Sequence, residues 1–136
     1  MKKLISFRLA AIILLGSLSL FLLFHILVML GVIPFEIVWG GRLTSRSQML
    51  RSETVSVLVN IVMIAVVAIK AKVINVELPY VFIKVILWMM FLLFLLNTIG
   101  NIFSLNKFEQ MVFTPVTLVL SLLSLRLALE KNQNPN

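Results

Sequence analysis

The chain has 136 residues, of which 61% are hydrophobic, with a mean hydropathy of +1.12 and a formal charge of +7. So large an apolar share excludes an ordinary soluble domain, whose core could not hide it. The 12 basic residues flank apolar runs instead of forming a stripe interleaved with aromatics, which excludes nucleic acid as a partner and points to the lipid bilayer.

Four apolar runs, at about 9–30, 53–73, 80–102 and 109–128, are each long enough to cross a hydrocarbon layer of roughly 30 Å as a helix. The expected fold is all-α: an integral membrane four-helix bundle forming a single domain over 1–131, with an interfacial loop between helices 1 and 2. The first run follows Lys2, Lys3 and Arg8, the charged start and greasy middle of a signal peptide. It is too long for one and has no small-residue cleavage site, so it is read as a retained helix ended by Gly31 and Pro34. Gly16, Ser17 and Ser19 are small enough to admit a neighbouring helix at close range.

The connection from Gly31 to Ser52 is the longest non-spanning piece and gathers Glu36, Trp39, Gly40, Gly41 and Arg42. Its first half is apolar and aromatic enough to lie in the membrane interface, where Trp39 has an apolar ring and a polar N–H to place. Ser45 with Gln48 fits a capping box at the start of the second helix. Pro79 suits the start of the third, where its missing donor costs nothing. Asn97 and Asn101 share a face of that helix at spacing i, i+4. Pro115 predicts a kink in the fourth, and residues 132–136 form a polar tail that cannot pack and is expected to be disordered.

Flanking cations set the orientation. With both termini cytoplasmic, Lys2, Lys3, Arg8, Lys70, Lys72, Lys84, Arg126 and Lys131 lie inside, and Arg42, Arg46, Arg51 and Lys107 outside. The expected location is the plasma (inner) membrane. In that orientation the intramembrane polar residues fall in the outer half. At 1.5 Å per residue, His25 lies roughly 13 Å below Pro34, Asn60 roughly 10 Å below Glu53, and Asn97 about one turn below Asn101. Glu53 and Asn60, seven apart, share a face, and the inner half is read as almost wholly apolar.

The candidate ligand-binding set is therefore His25, Glu36, Trp39, Arg42, Glu53, Asn60, Asn97, Asn101 and Glu109, arranged around one outward-opening chamber capped by Glu36, Trp39 and Arg42. The ligand class is a small molecule, a lipid headgroup or an ion, bound or transported. The physical warrant is that unpaired polar groups in hydrocarbon turn toward each other, water or a ligand. The same warrant allows Asn60, Asn97 and Asn101 to be interhelical glue, Glu36 and Arg42 to be a surface ion pair, and the lysines and Arg126 to be interfacial anchors.

No cofactor is assigned: a lone histidine cannot ligate haem twice, and His25, Glu53 and Glu109 have metal-ligand chemistry without a spacing signature. No catalytic residue is assigned either, because the chain has no Asp, no Gly-rich phosphate cradle and no nucleophile elbow, although an enzyme at the membrane interface using Glu53 or Glu109 stays a minority reading. The other alternative is an accessory subunit of a homo-oligomer or larger membrane complex. A channel is poorly supported, since nothing polar lines the inner half.

Overall fold

The structure, a computed structural model, describes residues 4–37 and 42–131. Four helices carry nearly all of it: α1 (Phe7–Met29), α2 (Arg46–Lys70), α3 (Tyr80–Ile102) and α4 (Lys107–Leu129). Each is long and apolar enough to cross a membrane. Hydrocarbon offers no hydrogen bonds, so a spanning segment must satisfy its backbone internally, which selects helices for runs of this composition. The surface agrees: Leu20, Val81 and Met111 are about 70% exposed, as they must be where the surrounding solvent is lipid. The protein is a small polytopic membrane protein.

The helix ends are set by local chemistry. Ser6, Ser45 and Asn106 cap α1, α2 and α4, each accepting from a backbone N–H three residues on at 3.1–3.2 Å. α1 stops at Gly31, whose φ of 83° is a left-handed conformation that glycine adopts without strain, and Val32 N–H closes the turn on Leu27 O.

α2 begins well before the apolar run that announced it. Ser45 supplies the cap, and Gln48 Oε1 accepts from Thr44 N–H at 2.9 Å, so the polar stretch Arg46–Ser52 is already helical. The Ser45 half of the expected capping box is formed, and the return bond to Gln48 comes from Thr44, one residue earlier than expected. The connection contributes a short 3-10 turn, α1 and α2 being joined through Phe35–Ile37. The expected polar tail lies outside the described residues. Pro115 is accommodated within the continuous α4.

Helices α1 with α2 and α3 with α4 form two antiparallel hairpins, joined mainly where α1 meets α4. The main core runs through Leu14, Leu18, Val67, Leu87, Leu120 and Leu127, all fully or almost fully buried. A smaller cluster of Val28 and Met49, with Phe24, Phe35 and Leu43 around it, seats the connection on the α1–α2 hairpin. Where α1 meets α4, Phe113 takes Phe21 and Phe24 edge-on at 6.0 and 5.4 Å between ring centres.

The end of the bundle that holds the start of α1 and the end of α4 corrects the sequence reading. Arg126 is not an interfacial anchor but 4% exposed, with Nη1 donating to Glu130 Oε2 at 2.8 Å and Nε to Ile5 O at 3.0 Å. Lys70 Nζ donates to Glu130 O at 3.0 Å and lies over the Tyr80 ring, as Lys84 does. Buried Ser121 and Ser124 add hydroxyls to this half, Ser121 donating to Phe91 O across to α3. The half expected to be almost wholly apolar is therefore stapled by a polar cluster that ties the residues before α1 to the ends of α2 and α4.

Candidate functional site

At the other end, the weak packing between α2 and α3 leaves a cavity of about 440 Å³, within the range of ligand pockets. Its floor is made by Phe21, Phe24 and His25 of α1 and by Glu109, Phe113 and Thr117 of α4, all buried or half-buried. Its rim is made by exposed residues of α2 and α3, among them Val55, Val59, Leu96, Asn97 and Gly100, with Arg42 at the helix end. The Phe21–Phe24–Phe113 contact that joins the hairpins is thus also the apolar floor.

Seven of the nine residues singled out in the sequence line this one cavity: His25, Arg42, Glu53, Asn60, Asn97, Asn101 and Glu109. Glu36 lies exposed in the 3-10 turn, outside the lining. Trp39 lies outside the described residues, so of the expected cap only Arg42 is placed at the cavity. Arg42 reaches across to α3, its Nη2 donating to Phe103 O at 3.4 Å.

The polar groups do different work. His25 Nδ1 and Glu53 Oε2 are 2.6 Å apart, with the histidine side chain 22% exposed and the glutamate 0%. A carboxylate taken wholly out of water needs such a partner, and the pair bonds α1 to α2. Asn101 is glue: its Nδ2 donates to Thr117 Oγ1 at 3.3 Å, beside a 2.9 Å hydrogen bond between the Thr98 and Thr117 hydroxyls. Such bonds clamp α3 to α4, each worth about 0.6 kcal/mol in a membrane.

Asn60 is different. It is 3% exposed and lines the cavity, but its Oδ1 is buried from that space and has no hydrogen-bond partner among the described residues. Leaving a buried acceptor unsatisfied costs about 1–3 kcal/mol, and among the described residues the Thr114 hydroxyl, outside the cavity lining, is left in the same state. Asn97, on the same face as Asn101 but nearer the middle of α3, is exposed at the rim.

Among the described residues no three His, Cys, Asp or Glu side chains are grouped as metal ligands would be, so His25, Glu53 and Glu109 do not form a metal cluster. Sequence reasoning missed Ser56 and Thr117 in the lining. Hydroxyls carry little hydropathy signal, and no spacing along one helix gives the partner on the next.

No protein-family model, curated protein or solved structure matches this chain.

Proposed function

We propose that this protein binds a small molecule or lipid headgroup in the cavity between its hairpins, at the outer half of the plasma membrane with both termini cytoplasmic. The observation that carries this reading is the convergence of His25, Glu53, Asn60, Asn97 and Glu109 on one cavity that opens between α2 and α3. Arg42 stands at the rim, where it guards the polar end.

Asn60→Leu is the discriminating variant. In ligand-free detergent solution it is expected to raise the unfolding free energy by about 1 kcal/mol, because an unsatisfied buried acceptor is removed. Molecules that co-purify with the wild type from native membranes are expected to be lost. Destabilisation with unchanged co-purification would assign Asn60 to interhelical bonding instead.

A second reading, accessory subunit of a larger complex, draws on α1. Gly16 is exposed and a methyl group placed on it would meet nothing within 4 Å, so its smallness serves no contact inside this chain. Small exposed residues let a foreign helix approach closely. A stoichiometric protein partner that is lost on Gly16→Leu, seen by mass measurement of the gently extracted protein, would favour this reading.

A further inference from the structure

We infer that the cavity holds an anionic amphiphile, with its oxyanion head on Arg42 at the mouth and its apolar chain in the gap between α2 and α3. The inference rests on the cavity being a ligand site and adds the charge of the head and the position of the chain.

The position of the chain follows from the lining. Phe21, Phe24 and Phe113 make the floor, and Met63, Leu93 and Phe94 continue it in hydrocarbon. Lining residues of α1 and α4 are buried or half-buried, whereas Val55 and Leu96, on α2 and α3, are 57% and 65% exposed. The opening therefore lies in the wall of the bundle, where a spanning protein meets lipid. An alkyl chain can enter such a gap without leaving apolar surroundings, and a wholly water-soluble ion gains nothing from it.

The charge of the head follows from which polar groups have bonding capacity left. The acceptors have little. Asn60 Oδ1 is buried, Glu53 is 0% exposed and bonded to His25, and Glu109 is 6% exposed and not free. The donors have more. Arg42 is exposed, and its one bond among the described residues, from Nη2 to Phe103 O at 3.4 Å, is longer than the usual range and leaves most of the guanidinium fork unused. Arg51 is exposed too, pairs with no carboxylate among the described residues, and lies one turn before Val55 on α2. One guanidinium thus stands where the connection reaches α3 and another on α2, beside the same opening. The planar fork matches the oxygens of a phosphate or carboxylate, giving short, charge-assisted hydrogen bonds. The charges of Glu53 and Glu109 keep such a head off the floor, which leaves the mouth to the oxyanion and the floor to the chain.

The test adds dodecyl phosphate or dodecanol to the full chain in neutral maltoside micelles, with inorganic phosphate as competitor, and reads retention by native mass spectrometry. The wild type is expected to retain one dodecyl phosphate per chain, at least about tenfold in preference to dodecanol, the effect of a hydrogen bond to a charged group. Inorganic phosphate at equal concentration is expected to displace none of it. Arg42→Gln is expected to weaken retention about tenfold by the same argument. Gly100→Leu is expected to abolish it by filling the gap. Gly100 borders the cavity, and a side chain there meets no atom within 4 Å at its first carbon, so the fold accepts it.

Equal retention of dodecanol and dodecyl phosphate, both lost in Gly100→Leu, would overturn the oxyanion head while leaving a ligand-binding cavity. Displacement by inorganic phosphate would replace the amphiphile with a free anion. Retention lost in Arg42→Gln but untouched by Gly100→Leu would put the chain outside the cavity and overturn its placement between α2 and α3. Retention of neither probe by the wild type would overturn the inference as a whole.

Discussion

His25→Leu is expected to destabilise the protein by about 3 kcal/mol, because it strips the histidine from a glutamate that is completely buried. The figure sits at the low end for breaking a buried pair, since His25 is about one-fifth exposed and Glu53 keeps other contacts. The informative companion is the double replacement His25→Leu with Glu53→Leu. Removing both charges together leaves no stranded carboxylate, and exchanging a buried pair for apolar residues of similar volume is often neutral. The double variant should therefore recover most of the stability lost by the single one. Denaturant unfolding in a mild detergent, followed by helix content, reads both. If the single variant is as stable as the wild type, the 2.6 Å contact does not hold α1 to α2.

Arg126→Leu is expected to be of comparable size, about 3 kcal/mol, at the opposite end of the bundle. It removes the donor to Glu130 Oε2 and the donor to Ile5 O together, and both are made by a side chain only 5% exposed. Arg126→Lys should recover less than half. A compact ammonium cannot reproduce two bonds made from separate nitrogens of one guanidinium plane. Limited proteolysis adds a positional readout: loss of the bond to Ile5 should expose the residues before α1 to cleavage while α3 and α4 stay protected. Ligand retention should survive, because Arg126 is not among the residues that line the cavity.

The four helices were legible because hydropathy is a property of long runs, and each run here matches the thickness of a bilayer. The start of α2 was not. Hydropathy sees Arg46, Ser47, Gln48 and Arg51 as loop, whereas the cap at Ser45 makes them helix. The convergence of His25, Glu53, Asn60, Asn97, Asn101 and Glu109 on one cavity could be anticipated from their common depth. Their individual roles could not, since depth fixes height along a helix and not the partner across the gap. Asn60 and Asn101 read alike in the sequence, yet Asn101 bonds Thr117 and Asn60 Oδ1 bonds no group among the described residues. Arg126 was misplaced for a related reason: a cation near a helix end reads as an anchor in the headgroups until Ile5, just before α1, is found bonded to it.

Thiol labelling tests the accessible cavity most directly, because the chain has no cysteine of its own. Ser56→Cys puts the reactive group in the cavity wall, and Ser124→Cys puts it at a fully buried position outside the lining. In membrane fragments open on both sides, a charged, membrane-impermeant maleimide should modify the Ser56→Cys protein readily. It should leave the Ser124→Cys protein untouched until unfolding, and should act more slowly on Ser56→Cys when Gly100→Leu is added. A Ser56→Cys protein as inert as the Ser124→Cys control would mean that the space between α2 and α3 is closed in the membrane.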